Sequence, residues 1–231
     1  IVCATKESKK YFERSTLLGR SLRAWPAEIK PGLILLADNY GEKAIGLSKF
    51  YNHAIDRSEE KSILVFCHDD VYIHGWSLVH EINMGLEKFD ILGLVGGANI
   101  PWGQPGWWFT LGEDDKPALN NNVRKSGSVN HFDPNNIKPD YYGHSPTECD
   151  LIDGFFMAAK AYTLKTKGIR FDERFKFHCY DTDFCYTSRK KGLVIGTWPI
   201  SCTHGSPGKF DNTWVNAARI LMNKLNQTGS Y

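Results

Sequence analysis

Four short apolar runs, most of them followed by a segment of helical period, leave the first hundred residues of this chain few folds to choose from. The runs cover residues 1–5, 33–37, 62–67 and 91–95. Behind the first, Leu17, Leu18, Leu22 and Trp25 recur at helical spacing within 13–25; behind the second come Leu47, Tyr51, Ala54 and Ile55; behind the third, 76–86 resumes the pattern. Continuous apolar runs of this length fit strands buried on both faces, and parallel neighbours need a crossover of roughly a dozen residues, usually a helix. The expectation is an α/β domain with a mostly parallel sheet and flanking helices, whose residues 1–98 form a nucleotide-binding-like half.

The character changes over 99–149. Pro101, Gly103, Pro105, Gly106, Trp107, Trp108, the run Asn120-Asn121-Asn122, and Pro134, Pro139 and Pro146 break every periodic pattern. A long irregular stretch inside a domain is expected to work as a lid or binding loop. Apolar character returns over 150–159. A helix is expected over 181–191, closed by Gly192, and then a strand over 193–199. Over 213–225, Trp214, Ala217, Ala218, Leu221, Met222 and Leu225 share one helical face. One domain over 1–231 is therefore expected, with halves at 1–98 and 150–231 around an irregular insertion at 99–149.

Charge and cysteine usage narrow the partners. With 28 basic and 26 acidic residues the net charge is +2, and no block of like charges occurs, so a general nucleic-acid binder is not expected. No apolar stretch reaches the ~18–20 residues that span a bilayer. The first residues read as a strand rather than a signal peptide. Opening directly on a strand, the chain is expected to lack a few natural N-terminal residues. The six cysteines fall singly, without CxxC spacing and partly inside apolar runs, which suits reduced buried thiols; disulfides are permitted by the even count but not required at this length.

The chemistry concentrates after the third run, where Phe66-Cys67-His68-Asp69-Asp70-Val71 puts two carboxylates and an imidazole at the carboxyl end of a buried strand. In open α/β sheets ligands collect at that edge. A hard divalent cation such as Mg²⁺ or Mn²⁺ takes oxygen ligands from one or two side chains and the rest from substrate phosphates. The same pair of acids also suits a cap for the helix that follows.

The succession of motifs from end to end resembles the GT-A glycosyltransferases, specifically the family 2-like, StrF-related group. The resemblance rests on residues 1–5, on Gly46-Leu47-Ser48-Lys49-Phe50-Tyr51-Asn52, on the segment around Asp70, and on Asp153-Gly154-Phe155-Phe156-Met157-Ala158-Ala159. It continues through Phe171-Asp172-Glu173-Arg174-Phe175, Phe177-His178-Cys179-Tyr180-Asp181-Thr182-Asp183-Phe184, Gly192 and His204. It implies a nucleotide-diphospho-sugar transferase fold with the insertion on the acceptor side. In that family a DxD signature holds the metal that bridges the donor diphosphate, which makes Asp70 a metal ligand and puts Asp69 against the ribose or the metal shell. His68 departs from the signature, standing where its first aspartate usually lies; a neutral imidazole can still hydrogen-bond a ribose hydroxyl.

The resemblance further implies that Thr5 and Asp38 contact base and ribose with support from Asn52, and that His204 is a second metal ligand. By the same resemblance Asp153 and Gly154 are expected to face the donor sugar or acceptor, and Asp181 to be the general base of an inverting transfer. Read from the residues alone, Asp38 also fits an ordinary turn, Asp181 a helix cap with Asp183 as a first-turn acid, and His204 a free loop histidine. Trp102, Trp107 and Trp108 could stack on an acceptor sugar or anchor loops to the core. The implied partners are a nucleotide-diphospho-sugar donor, UDP-sugar by family habit, and a glycan or lipid-linked acceptor in polysaccharide biosynthesis. The implied cofactor is Mn²⁺ or Mg²⁺, and the implied location is cytoplasmic, peripheral at the inner membrane surface.

Two rivals keep part of this pattern. A nucleotidyltransferase of similar fold would bring a Gly-rich phosphate loop after the first strand, and Thr5-Lys6-Glu7-Ser8-Lys9-Lys10 has no glycine. A non-catalytic carbohydrate-binding module would leave the βαβ half unexplained.

Overall fold

The computed structural model describes residues 1–112, 114–133, 136–206, 208 and 210–229; Pro134 lies outside them. β1 (Val2–Ala4) runs parallel to both its neighbours, β2 (Ile34–Leu36) and β3 (Ile63–Cys67). The crossovers are helical, as parallel pairing demands: α1 (Lys9–Ser15) and α2 (Leu17–Arg23) lead to β2, and α3 (Leu47–Arg57) leads to β3. The single helix expected over 13–25 is broken at Thr16. Its hydroxyl donates to Phe12 O at 2.8 Å and accepts from Gly19 N at 2.9 Å, ending one helix and capping the next. Gly19 lets the two meet closely, since a Cβ there would lie 2.1 Å from Phe12 O.

After β3 come β4 (Val71–Ile73), α4 (Leu78–Gly85), β5 (Ile91–Gly93) and β6 (Val95–Ala98). The run at 91–95 was expected as one strand but divides at Leu94, where the chain leaves one sheet and enters another. The glycines explain the division. A Cβ on Gly93 would lie 2.9 Å from Ile152, and one on Gly96 2.4 Å from Leu151 O, so this backbone can press directly on the strand that crosses it.

The stretch 99–149 is irregular only in its first part. It then forms the hairpin β7 (Phe109–Leu111) and β8 (Pro117–Leu119), a long antiparallel ribbon of β9 (Arg124–Asp133) and β10 (Asn136–Gly143), and β11 (Thr147–Glu148). Pro139 did not preclude the ribbon because β10 pairs only with β9, and prolines are tolerated on such edges. β12 (Leu151–Ile152), β13 (Phe156–Lys160), α5 (Ala161–Thr166), α6 (Tyr180–Lys190), β14 (Ile195–Thr197), β15 (Cys202–His204) and α7 (Asn212–Thr228) complete the order.

The main sheet has the order β11-β14-β5-β13-β3-β1-β2. β1, β2, β3, β5 and β14 share one direction, so it is mostly parallel, with β13 and β11 reversed. A second sheet, β12-β6-β9-β15-β4 with β10 beside β9, stands over the carboxyl ends of those strands. The six cysteines are free and buried. Among the described residues no helix is long and apolar enough to cross a membrane.

Beneath the strand ends lies an aromatic cluster. Phe66 is fully buried, its ring centroid 4.8 Å from Tyr51, 5.1 Å from Phe171 and 6.5 Å from Phe184. It joins β3, α3 and α6 two residues before the chain reaches His68. Phe66→Ala is expected to lower the unfolding free energy by about 3–5 kcal/mol, read from the urea midpoint; an unchanged midpoint would mean that this cluster does not hold the layers together.

Candidate functional site

The chain turns sharply after β3, held by His68 N–H donating to Phe155 O at 3.0 Å. His68, Asp69 and Asp70 occupy that turn, and β4 begins at once. β15 pairs antiparallel with β4 in a register that sets His204 opposite Val71, and Gly205 N–H closes on Asp70 O at 2.7 Å. That pairing brings His204, 134 residues further along the chain, against Asp70: Nε2 lies 3.5 Å from Asp70 Oδ1, and His68 Nδ1 lies 3.9 Å from the same oxygen. One ligand atom from each of the three falls within 4.8 Å of the others. The His204 ring stacks on Phe155 at 4.5 Å with an interplanar angle of 18°.

Asp70 Oδ1 and His204 Nε2 are both buried and have no hydrogen-bond partner. Leaving such atoms unsatisfied costs roughly 1–3 kcal/mol each, so the pair suits a cation better than it suits a bare core. Burial pushes the Asp70 carboxyl up, but the His204 and His68 imidazoles outweigh it and hold the group below its ordinary range. Burial likewise lowers the His68 imidazole, although the surrounding acids oppose it. Asp69 faces the other way, accepting from Thr5 Oγ1 at 2.5 Å; burial keeps its carboxyl above the usual value despite that hydroxyl.

A second group forms at the start of α6. Cys179 stands at the N-cap of the helix in a left-handed conformation (φ 59°). Asp181, in that first turn, accepts from Gly154 N–H at 2.9 Å, and Tyr180 donates its hydroxyl hydrogen to Gly154 O at 2.9 Å. The cap is Cys179, so Asp181 is not the N-cap. A Cβ on Gly154 would lie 2.5 Å from the Tyr180 hydroxyl and 2.8 Å from Asp181 Cβ, which only glycine avoids. Burial, reinforced by the charge of Asp153, pushes the Asp181 carboxyl up to about 7. Asp153 accepts from Trp107 Nε1 at 2.9 Å and from Phe155 N–H at 3.1 Å. Asp183 points elsewhere: its buried carboxylate meets Lys224 of α7 at 2.6 Å, and Lys224 also reaches Asp172 at 2.8 Å.

Six of the ten residues expected from sequence line one cavity of about 530 Å³: His68, Asp70, Asp153, Gly154, Asp181 and His204. The other four do not line it. Thr5 is buried against Asp69, and Asp38 sits exposed at the end of β2 in a left-handed turn (φ 54°) tied to Glu7 O at 3.0 Å. Asn52, expected beside the pocket, instead turns its amide to the segment at Phe171, donating to the Phe171 oxygen and accepting from its nitrogen at 2.9 Å each, and donating also to Glu173 Oε1 at 3.2 Å. Trp107 and Trp108 form part of the cavity wall, while Trp102 packs on Tyr186 at 4.9 Å.

Sequence reasoning missed His131, Asp140 and Tyr142, which the β9–β10 ribbon presents to the cavity, His131 pairing with Asp140 at 3.3 Å. No signal could have found them while the ribbon itself was unrecognised.

The profile of one protein family, described as a glycosyltransferase-like family, matches residues 1–229. No curated protein matches the chain. Among solved structures, S. aureus TarS 1–349 superposes with a TM-score of 0.50 at 12% identity over 100% of this chain and 65% of that one. The mannosyltransferase PcManGT from Pyrobaculum calidifontis, in complex with GDP-Man and Mn²⁺, gives 0.52 at 12% identity over 100% of this chain and 64% of that one. The chain thus spans slightly less than two thirds of these relatives. The likeness is one of fold: a mostly parallel α/β sheet with flanking helices, as in GT-A glycosyltransferases.

Lys224→Met is expected to destabilise the protein by about 3–5 kcal/mol in urea unfolding, because it strands the buried Asp183 carboxylate. A loss below about 1 kcal/mol, the scale of an exposed pair, would show that the Lys224 bridge is not structural.

Proposed function

Because the chain belongs to the glycosyltransferase-like family, we propose that it transfers a sugar from a nucleoside-diphosphate sugar to a hydroxyl acceptor with the help of a divalent cation. The observation that carries this reading is the pair of buried atoms Asp70 Oδ1 and His204 Nε2, 3.5 Å apart and without a hydrogen-bond partner, whose residues line the same cavity as Asp181. Mn²⁺ in the PcManGT complex and UDP in a complex of TarS 1–349 support it by analogy of fold. The whole chain is read as one GT-A unit, with 1–98 binding the nucleotide and 150–231 contributing the catalytic half.

In this reading Asp70 and His204 hold the cation, as the last acid of a DxD-like signature and a late histidine. Bound there, it supplies positive charge to the departing diphosphate. Thr5, Asp69 and Asp38 edge the nucleotide, with uridine as the proposed base. Asn52 contributes only through the Phe171 loop that it holds. Asp153 and Gly154 border the transferred sugar, and Trp107 and Trp108 offer stacking faces to the acceptor, a glycan or lipid-linked sugar. The resemblance alone supports a role in polysaccharide biosynthesis at the inner membrane surface.

Asp181 acts as general base. Gly154 N–H holds one carboxylate oxygen, and a pKa raised toward neutrality makes the group a proton acceptor matched to working pH. As the acceptor oxygen attacks the anomeric carbon from the face opposite the diphosphate, its proton passes to Asp181 and the configuration inverts.

Asp70→Ala is expected to abolish cation-dependent binding of UDP in calorimetry with and without Mn²⁺; unimpaired turnover at saturating metal would remove Asp70 from the site. Asp181→Asn is expected to slow transfer by ~10² or more with donor binding nearly unchanged. In the unmodified enzyme only ionised Asp181 can accept the proton, so kcat/KM should fall about tenfold per unit as pH drops below about 7 and level off above it. A flat profile together with an unimpaired Asn variant would exclude Asp181, and NMR of the product linkage showing retention would overturn inversion.

A further inference from the structure

His68 stands where a DxD signature has an acid that the resemblance assigns to the donor ribose. Its hydrogen bonds point to another task. Tyr180 has one hydroxyl hydrogen and gives it to Gly154 O, a carbonyl that can only accept. The Tyr180 oxygen therefore faces His68 Nε2, 2.7 Å away, with a lone pair, and the contact is a hydrogen bond only if Nε2 carries the imidazole proton. Nδ1 is left with its lone pair, on the side of Asp70 Oδ1. At 3.9 Å and 3.5 Å, Asp70 Oδ1 is too far from either imidazole for a good hydrogen bond. The three atoms are nonetheless gathered within 4.8 Å, and the Nε2 of His204, only 9% exposed, has no hydrogen-bond partner there.

From this geometry we infer that His68 is a third cation ligand through Nδ1, and that the set of two imidazole nitrogens and one carboxylate oxygen selects first-row transition cations such as Mn²⁺, Co²⁺ or Zn²⁺ over Mg²⁺ and Ca²⁺. The inference rests on the reading of this site as cation-dependent, and deepens it by naming the class of cation. Mg²⁺ prefers an octahedron of oxygens and binds through carboxylates, phosphates and water, whereas imidazole suits the borderline transition ions. Tyr180 is a positioning residue: by holding the proton on Nε2 it keeps Nδ1 free to ligate, as hydrogen-bonded partners of metal-bound histidines do. Stacking on Phe155 and the β4–β15 pairing hold the second imidazole in place.

Calorimetry and thermal shift of the purified chain with MnCl₂, CoCl₂, ZnCl₂, MgCl₂ and CaCl₂, with and without UDP, test the inference together with electron spin-echo spectra of bound Mn²⁺. Expected are Mn²⁺ binding at least about tenfold tighter than Mg²⁺ and couplings to two nitrogens. His68→Ala should remove one coupling and weaken Mn²⁺ by about tenfold or more while leaving Mg²⁺ nearly unchanged, and Tyr180→Phe should weaken Mn²⁺ by about tenfold. His68→Asp, which keeps a ligand in place, should move the preference toward Mg²⁺. The wild-type spectrum needs no variant to fold. A single nitrogen coupling, or equal affinity for Mg²⁺ and Mn²⁺, overturns the inference. UDP separates the two readings: two nitrogens without tighter UDP binding sinks the donor site and keeps the ligand set, and Mn²⁺-tightened UDP binding with one nitrogen does the reverse.

Discussion

The pairing of β15 with β4 is the constraint on which the site depends. Side chains alternate along a strand, so a slip of one residue would turn His204 to the opposite face and leave Asp70 alone at the sheet edge. Register is held on both sides: His204 is opposite Val71 on β4 and His131 on β9. A histidine near the carboxyl terminus thus reaches an acid in the first third of the chain through backbone hydrogen bonding rather than loop flexibility. The Asp70–His204 geometry is accordingly as rigid as the sheet that carries it.

The second group depends on a glycine. Gly154 lies between β12 and β13, and its missing side chain lets α6 set Tyr180 and Asp181 directly on the strand ends. Each peptide polar group of Gly154 is used, the N–H on Asp181 and the carbonyl on Tyr180. The Tyr180 hydroxyl in turn meets His68, so one residue ties the surroundings of Asp181 to those of Asp70 and His204. In the core the rings of Phe66, Phe171 and Phe184 pack on one another, while burial and the charge of Asp153 raise the Asp181 carboxyl.

Much of the architecture was legible because its signal is periodic. The runs at 1–5, 33–37 and 62–67 became β1, β2 and β3, and the amphipathic face of 213–225 became the buried side of α7. What was illegible turned on single residues or distant partners. Thr16 divides a helix through its own hydroxyl, and Leu94 divides a strand because glycines beside it allow another strand to cross. The β9–β10 ribbon was hidden by Pro139, which the edge strand β10 tolerates. Among the residues that line the cavity, Asp70, Asp181 and His204 could be named through a family pattern. Asn52 shows the limit of that route: its residue type suits a pocket, but its amide is engaged by Phe171, a partner 119 positions away that no local pattern reveals.

The bond from Trp107 to Asp153 has a further consequence. The indole forms part of the cavity wall, and the carboxylate it holds is the charge that helps raise Asp181. Wall and carboxyl therefore share one lever: a displacement of the ring relocates a negative charge beside Asp181. By reciprocity, whatever leans on that aromatic surface and the readiness of Asp181 to take a proton are thermodynamically linked, each altering the other by the same free energy.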